Sequence, residues 1–323
     1  MPQSRTTMSP TGEQWVIAHG RQQAIVTEVG ATLRHYGVGG EDVVQGFGAD
    51  EWAHSGRGQV LAPWPNRLGN GRYDWAGHQV QAALDEPELG NAIHGLVRWL
   101  PWRLEAQAQN VVSLRCALHP SPGYPWCLEL RVEYRLRRDG LVVTTTASNG
   151  GDDSLPFALG FHPYLSVGSE RIDTATLTVP AARRLVLDAR SLPTGESQPV
   201  AGTELDFTGA RTIGPTRLDT AFTDLERSVE GTVTVTLEDA STGRGVELWA
   251  DEHFRYVMCF TGDSIPDARI RRTAIAIEPM TSPPDAFRSR RDLIVLEPGD
   301  RWEGVWGLHP YRMNQERVQE PAG

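Results

Sequence analysis

The sequence contains few cysteines, and they are scattered. The chain of 323 residues has three, Cys116, Cys127 and Cys259. Their number and spacing exclude a disulfide framework and a zinc site built from thiolates. Each of them lies in an apolar segment typical of a strand, so we expect buried, unreactive thiols.

Long apolar runs are also missing. No uninterrupted apolar stretch approaches the ~20 residues that a membrane-spanning helix requires. The segment Met1–Glu13 is polar and lacks the apolar centre of a signal peptide. We therefore expect a cytoplasmic protein that has no membrane partner.

Positive charge is in deficit. Lysine and arginine together number 31, against 41 aspartates and glutamates, which gives a formal net charge of −10. Nucleic-acid binding requires a positive face for the phosphates, so we expect no nucleic-acid partner. We interpret the short basic run of Arg288, Arg290 and Arg291 as solvated surface.

Helical periodicity is scarce, and short alternating runs take its place. Apolar and polar residues alternate in Leu128–Arg137, and Asp139-Gly140 after it is typical of a hairpin. Similar runs are Val111–Leu118, Tyr256–Phe260 and Ala274–Glu278. With 22 prolines, 33 glycines and no linker-like tract, the pattern predicts an all-β fold, a large antiparallel β-sandwich with few short helices. We expect one domain over residues 1–323, ordered from about 11 to 313, with loosely ordered ends.

The common catalytic signatures are absent. The sequence contains no Gly-x-Ser-x-Gly elbow, no Walker loop, no His-Glu-x-x-His zinc helix and no dinucleotide glycine fingerprint. We therefore expect no metal and no cofactor. Gly262-Asp263-Ser264 is similar to a fragment of a hydrolase motif, but we interpret it as a turn.

Two histidines and an Asn-Arg pair stand in segments with restricted backbones. Asn66 and Arg67 follow the proline-bracketed Ala62–Pro65, so the arginine either aims at substrate hydroxyls or forms a surface ion pair. His94 lies between small residues, which allow close approach of a ligand or of another backbone. His162 precedes a proline, and histidine can act as acid or base near neutrality. A structural role remains the alternative for both histidines.

Two carboxylates complete the set. Glu278 ends the apolar run that begins at Ala274, where partial desolvation would raise its pKa toward that of a useful base. A structural ion pair is the alternative for Glu278. Asp219 lies between apolar neighbours, and its local sequence favours a turn or helix cap.

Together these segments resemble the aldose 1-epimerase (galactose mutarotase) family. The resemblance runs from about residue 20 to about 310, and the motifs follow the family's order and approximate spacing. They are Asn66-Arg67 with Gly71, Asn91-Ala92-Ile93-His94-Gly95 with Trp99, Gly160-Phe161-His162-Pro163-Tyr164, Leu218-Asp219-Thr220-Ala221-Phe222, and Glu278-Pro279 with Pro284-Asp285-Ala286-Phe287.

The resemblance implies a β-supersandwich whose active site lies in a cleft on a concave sheet face. It implies that Glu278 is the catalytic base, that His162 is the catalytic acid, and that His94 is the second active-site histidine. Arg67 and Asp219 match sugar-binding positions, and Asn66 is expected to contribute to binding. The implied reaction interconverts the α and β anomers of a hexose by ring opening and closure, without metal or cofactor. The expected partner is a small sugar, and the protein is expected to be a monomer or homodimer.

Aromatic residues could form a floor under the apolar face of the sugar ring, although core packing is the alternative. The candidates are Trp64, Trp99, Tyr164 and Trp249. Phe161-His162-Pro163-Tyr164 and the loop Pro283–Phe287 depart from the better-known galactose mutarotases, as in a divergent bacterial branch. These departures leave the sugar preference open.

Three other functions compete with simple aldose epimerisation. A hexose-6-phosphate 1-epimerase would need arginines that converge on the phosphate, for which Arg72, Arg98 and Arg288 are available. A repurposed family member could act on a hemiacetal or hemiketal in a biosynthetic pathway. A non-catalytic carbohydrate-binding protein would not need both Glu278 and His162.

Overall fold

The computed structural model describes residues 9–313 of the chain. The expected loose ends, Met1–Pro10 and Asn314–Gly323, lie outside the described residues except for Ser9 and Pro10. The expectation of one domain stays a prediction.

Strands dominate the described residues, and helices are short. The strands are β1 (Gln14–His19), β2 (Gln22–Thr27), β3 (Leu33–Val38), β4 (Glu41–Val44), β5 (Val60–Leu61), β6 (Arg67–Gly69), β7 (Arg72–Trp75), β8 (His78–Gln81), β9 (Asn91–Ile93), β10 (Arg103–Ala108), β11 (Val111–Leu118), β12 (Leu128–Arg137), β13 (Gly140–Asn149), β14 (Leu155–Phe157), β15 (Gly160–Phe161), β16 (Tyr164–Leu165), β17 (Thr176–Thr178), β18 (Ala181–Leu187), β19 (Pro193–Pro199), β20 (Arg211–Thr212), β21 (Asp219–Leu225), β22 (Val233–Asp239), β23 (Arg244–Ala250), β24 (Tyr256–Phe260), β25 (Ile275–Met280), β26 (Ile294–Leu296) and β27 (Arg301–Arg312). The α-helix is α1 (Ala286–Ser289), and the 3₁₀ helices are His54–Gly56, Val97–Trp99, Ile172–Thr174 and Ala268–Ile270.

Two large sheets contain most of these strands. One has twelve strands in the order β1-β2-β3-β4-β16-β25-β24-β21-β18-β19, with β15 paired to β25 and β5 paired to β15. The other has nine strands in the order β10-β11-β12-β13-β27-β23-β22-β17-β20. Neighbouring strands run antiparallel, as in β12–β13 and β24–β25. The all-β prediction with large antiparallel sheets is confirmed.

The two sheets pack against each other around one extensive apolar core. The ring of Phe161 on β15 lies 5.0 Å from that of Trp306 on β27, so the two sheets meet there. The Tyr134 hydroxyl on β12 donates to the Ala31 carbonyl at 2.7 Å and satisfies its polar end within the core. Two of the three cysteines, Cys116 and Cys259, are buried, and Cys127 is partly exposed.

The β12–β13 hairpin follows from the local sequence. Arg137 pairs with Gly140, so Arg138 and Asp139 form the loop and Gly140 is already the first residue of β13. A Cβ atom on Gly140 would lie 1.9 Å from the Leu308 carbonyl oxygen of β27. Glycine is therefore needed here for the close approach of a third strand.

Successive side chains of β25 alternate between the two faces of the sheet, and this alternation determines the face on which Glu278 lies. Ile275 and Ile277 are fully buried in the core between the sheets. Glu278 and its neighbour across the ladder, Met258 of β24, belong to the opposite face of the twelve-stranded sheet. This opposite face forms the floor of the cavity described below.

The alternation in β12 gives a stability test. We expect Leu130→Ala to lower the free energy of unfolding by about 2–5 kcal/mol, because Leu130 is fully buried and its removal leaves a cavity. The neighbouring Glu129 is exposed, so Glu129→Ala should change it by less than about 0.5 kcal/mol. Urea denaturation of both variants measures the difference. Equal losses would show that β12 does not alternate between core and solvent.

Candidate active site

One cavity of about 650 Å³ brings together the polar residues expected from the sequence. Its lining includes Asn66, Arg67, His94, His162, Asp219 and Glu278. These residues come from separate parts of the chain: β6, the segment after β9, the turn between β15 and β16, the start of β21, and β25. The long-range strand pairing therefore assembles the cavity.

Glu278 and His162 form its most buried polar contact. The imidazole Nε2 lies 3.3 Å from the Glu278 Oε1 atom, and the two side chains are 6% and 2% exposed. Among residues 9–313, neither the second carboxylate oxygen nor the His162 Nδ1 atom has a hydrogen-bond partner. Buried polar atoms are normally paired, so these two unsatisfied atoms are unusual among the described residues.

Burial disfavours the charged form of both groups. It raises the pKa of Glu278 well above its usual value, and the nearby Asp219 raises it further, whereas Arg67 lowers it. Burial lowers the pKa of His162 to about 3, with further lowering by the charges of Arg57 and Arg98. The pair is therefore expected to hold a single proton over a wide range of pH.

The imidazole of His94 is held in one orientation. His94 has a φ of 63°, and its Nδ1 accepts a hydrogen bond from the Asn66 N–H at 3.2 Å. This bond leaves Nε2 as the atom that carries the proton in the neutral ring. Burial lowers the pKa of His94 well below its usual value. His94 is consequently a neutral donor whose ring lies 5.4 Å from that of His162.

The glycine after His94 explains why the segment is composed of small residues. A Cβ atom on Gly95 would lie 2.1 Å from the Ala62 carbonyl oxygen. The chain therefore passes directly over the segment Ala62–Pro65. This is the close approach of another backbone that the small residues beside His94 were expected to allow. Asn66 has a φ of 54°, and its Oδ1 accepts the Arg67 N–H at 2.9 Å. Asn66 thus shapes the turn that presents Arg67.

Arg67 forms the ion pair that the sequence allowed, and its place in the cavity leaves the substrate-binding role as a prediction. Its guanidinium lines the cavity, and it also pairs with Glu86, with its Nε 2.9 Å from Oε2 and its second terminal nitrogen 2.9 Å from Oε1. The Asn91 amide donates to the same carboxylate at 2.9 Å. Bidentate pairing restricts the guanidinium to one plane. Sequence reasoning missed Glu86, because no pattern distinguishes it from the neighbouring acidic residues.

Asp219 is the first residue of β21 and is open to the cavity. It stands across the ladder from Phe260 of β24, the strand that also pairs with the Glu278 strand. The local sequence favoured a cap, but Asp219 begins a strand. Its charge acts on both Glu278 and Arg67, raising the pKa of each.

Trp249 requires a correction, because it does not line the cavity. It lies on β23 of the nine-stranded sheet, between the fully buried Leu248 and Ala250. Strand alternation points it to the face opposite these core residues, where it packs over Gly307. A tryptophan in an alternating strand does not reveal from sequence which sheet or which face it occupies.

The other aromatic candidates divide between cavity and core. Trp99 lines the cavity and is 43% exposed. Trp64 is buried, with its ring 5.3 Å from that of Phe287. Tyr164 is also buried and stacks on the His162 imidazole at 5.1 Å, so it packs behind His162 and does not form a floor for the ligand. The sequence missed Trp52, which lines the cavity beside Trp99.

Other features lie outside this cavity or at its edge. Among residues 9–313, the single group of three side chains that could hold a metal is Asp251, Glu252 and His253, which the cavity lining does not include. Ser264, interpreted as part of a turn, reaches the cavity edge. No helix in the described part of the chain is long and apolar enough to cross a membrane.

Comparisons with known proteins give the family. The sequence profile described as aldose 1-epimerase matches residues 13–309. The chain is 32% identical to the Escherichia coli (strain K12) protein YihR over 295 residues, 91% of this chain and 92% of that protein. It is 26% identical to the galactose mutarotase of Homo sapiens over 76% of each chain. A solved GalM/aldose epimerase homologue from C. elegans has the same fold, with a TM-score of 0.84 at 20% identity over 94% of this chain and 99% of that one.

The chain therefore belongs to the aldose 1-epimerase family, and it is an isomerase. The resemblance noted in the sequence is confirmed, as is the galactose mutarotase-like fold. Family membership supports a sugar epimerase activity.

The buried pair gives a prediction that does not depend on activity. We expect the His162 imidazole to remain neutral at about pH 5 in the unliganded protein, because burial lowers its pKa to about 3. ¹⁵N NMR of labelled histidine distinguishes neutral rings from imidazolium, and the signal lost in His162→Gln identifies the residue. An imidazolium signal from His162 at that pH would contradict the effect of burial.

Proposed function

We propose that this protein is an aldose 1-epimerase that interconverts the α and β anomers of a hexose by general acid-base catalysis. The observation that carries the proposal is the contact of 3.3 Å between the Glu278 carboxylate and the His162 imidazole at the floor of an open cavity. Opening a hemiacetal requires one base and one acid, each able to move a proton at a separate oxygen.

In the proposed reaction, the Glu278 carboxylate removes the proton of the anomeric hydroxyl while the His162 imidazolium protonates the ring oxygen. The bond between the ring oxygen and the anomeric carbon breaks, and the anomeric carbon becomes an aldehyde. Rotation about the adjacent carbon–carbon bond presents the other face of the carbonyl. His162 then takes back its proton and Glu278 returns the other, so closure gives the second anomer with both groups restored.

Burial places the shared proton on Glu278 in the unliganded site, so the active form requires its transfer to His162. The contact of 3.3 Å makes this transfer local. Hydrogen bonds from sugar hydroxyls to the carboxylate would favour its ionised form, as the Arg67 charge already does. His94 and Asp219 supply a neutral donor and an acceptor for other hydroxyls.

The charges of the lining favour an uncharged sugar over a sugar phosphate. Five carboxylates face two arginines in the lining, where Arg67 pairs with Glu86 and Arg98 pairs with Asp85 at 2.6 Å. Arg72 and Arg288 line a different cavity, so the three arginines that a phosphate would require do not converge. The relatives include a maltose epimerase of Levilactobacillus brevis, 29% identical over 70% of this chain, as well as galactose mutarotases. The sugar itself is therefore open within the neutral class.

The function is tested by polarimetry on freshly dissolved α-D-glucose and α-D-galactose. We expect the wild type to accelerate the approach to equilibrium and Glu278→Gln to lose about 10²–10⁴-fold in rate, because the amide cannot accept the proton. Glu129→Gln on the exposed face of β12 is the matched control and should keep full activity. If Glu278→Gln is as fast as the wild type, Glu278 is not the base.

The pH dependence tests the shared proton. We expect kcat/KM to follow the form of the pair that holds one proton, so the alkaline limb reports the raised pKa of Glu278. The negative charge of Asp219 contributes to raising this pKa, so Asp219→Asn should move the alkaline limb to lower pH, in addition to weakening sugar binding. The measurement is kcat/KM against pH, corrected for the spontaneous reaction. A limb that stays in place or moves to higher pH would contradict this coupling.

A further inference from the structure

A buried arginine without an ion-pair partner lies next to the proposed acid. Arg57 is 3% exposed, and among residues 9–313 no carboxylate forms an ion pair with it. Its guanidinium makes two long hydrogen bonds, of 3.5 Å to the His54 carbonyl and 3.4 Å to the side-chain oxygen of Gln45. The carboxylates of Glu51 and Asp267 act on its charge only from farther away. Burying a cation without an ion pair is costly, so this arginine requires an explanation other than stability.

The ring of Tyr164 joins Arg57 to His162. The guanidinium carbon lies 4.4 Å from the centroid of the ring. The imidazole stacks on the same ring, with centroids 5.1 Å apart and an angle of 15° between the planes. The Tyr164 hydroxyl donates to the Ser55 carbonyl at 2.9 Å and so fixes the ring. The face of an aromatic ring attracts a cation, so Arg57 is held in place without a carboxylate.

The backbone around Arg57 is bound directly to that of His162. The Gly58 N–H donates to the His162 carbonyl at 2.9 Å, and the His162 N–H donates to the Gln59 carbonyl at 3.2 Å. A Cβ atom on Gly56 would lie 2.5 Å from the imidazole. Arg57 itself is not part of the cavity lining. It therefore acts on His162 from behind and does not touch a ligand.

Charged and titratable groups act on the His162 imidazole from several elements. They are Glu278 on β25, Tyr164 on β16, His94 after β9, Arg98 on the 3₁₀ helix Val97–Trp99, and Arg57 after the 3₁₀ helix His54–Gly56. Burial raises the pKa of Tyr164 and lowers that of His94, so both are neutral. Glu278 favours the imidazolium when it is ionised, and the two arginines oppose it. The charge of Arg98 is balanced by Asp85 at 2.6 Å, so Arg57 is the uncompensated positive charge in this group.

We propose that Arg57 is a positioning residue whose charge, held on the ring of Tyr164, keeps the His162 imidazole neutral until a sugar occupies the cavity floor. The inference rests on the proposed epimerase function and concerns the acid of that same site. A positive charge behind the imidazole opposes its protonation in the unliganded protein. The same charge makes the imidazolium a stronger acid once it has formed, which suits a proton donor for a weakly basic ring oxygen.

The test follows His162 by ¹⁵N NMR of labelled histidine in the wild type, Arg57→Met, Arg57→Lys and Arg115→Met. We expect the pKa of His162 to rise by about 0.5–1 unit from about 3 in Arg57→Met, because the opposing charge is removed. At pH 4 the imidazolium fraction would then rise from about 10% to about 25–50%. Arg57→Lys keeps the charge and should remain close to the wild type.

Arg115 provides the control for loss of a positive charge. It lies on β11 of the other sheet, and its side chain is 51% exposed, so Arg115→Met should leave the His162 signal unchanged. Circular dichroism at pH 4 establishes that each variant is folded. If Arg57→Met does not fold, Arg57→Gln is the second neutral variant, since its amide can still donate to the Gln45 oxygen. An unchanged imidazolium fraction in a folded, neutral variant overturns the proposal.

The pH dependence of the reaction separates the effect of charge from a structural role. We expect the acid limb of kcat/KM to move to higher pH in Arg57→Met and to stay in place in Arg57→Lys. A uniform loss of kcat/KM at every pH, with the limb in place, would assign Arg57 a structural role and overturn the proposal.

The two measurements also distinguish failure of this proposal from failure of the epimerase function. If the wild type accelerates neither glucose nor galactose while the imidazolium fraction rises in Arg57→Met, the epimerase function is wrong and the effect of the Arg57 charge stands. If a sugar is accelerated and the fraction does not change, the role of Arg57 is wrong and the function stands.

Discussion

The structure depends on the burial of a carboxylate and an imidazole next to each other. Removing either charge from water costs several kcal/mol unless a partner compensates for the loss. Glu278 and His162 solve this problem jointly, since a single proton at their contact makes the pair neutral overall, whichever side chain holds it. The neighbouring charges of Arg67 and Asp219 then decide how readily the proton moves.

The scaffold supports the pair from both sides. Its floor is a strand in the middle of the twelve-stranded sheet, where Ile275 and Ile277 anchor the strand in the core and leave Glu278 on the opposite face. Its wall consists of backbone turns with positive φ at Asn66 and His94. Such turns are stable because the surrounding chain determines them, and here each turn orients a polar side chain. A strand therefore supplies Glu278, and turns supply His162, Asn66 and His94.

Long alternating runs made much of the fold predictable. The strands β11, β12 and β24 coincide with the predicted runs Val111–Leu118, Leu128–Arg137 and Tyr256–Phe260. The short strands β5, β6, β9, β15 and β16 were not predicted, because two or three residues carry no detectable period. These short strands lie beside Arg67, His94 and His162, so the elements nearest the site are those with the weakest local signal.

The site residues were predictable mainly as members of a family. Of the motif residues, six polar ones line one cavity: Asn66, Arg67, His94, His162, Asp219 and Glu278. The local sequence of Asp219 favoured a cap, and no local pattern distinguished Glu86 or Trp52. The prediction for Trp249 was wrong for a physical reason. An alternating strand has two faces, and the elements that pack on the strand decide which face is exposed to solvent. Convergence of distant segments depends on the strand order of a sheet, which a single sequence does not contain.

The deep burial of the Glu278–His162 contact bears on where the protons of the proposed reaction come from. The two side chains are 2% and 6% exposed, so they have little contact with bulk water. In the proposed cycle, ring closure restores the starting protonation state of both Glu278 and His162. The cycle therefore involves no net uptake or release of protons from solvent. The proposed cycle therefore requires no chain of ordered water or relay of side chains leading out of the cavity. Deep burial of the pair is therefore compatible with the proposed cycle, because that cycle returns both side chains to their starting protonation state.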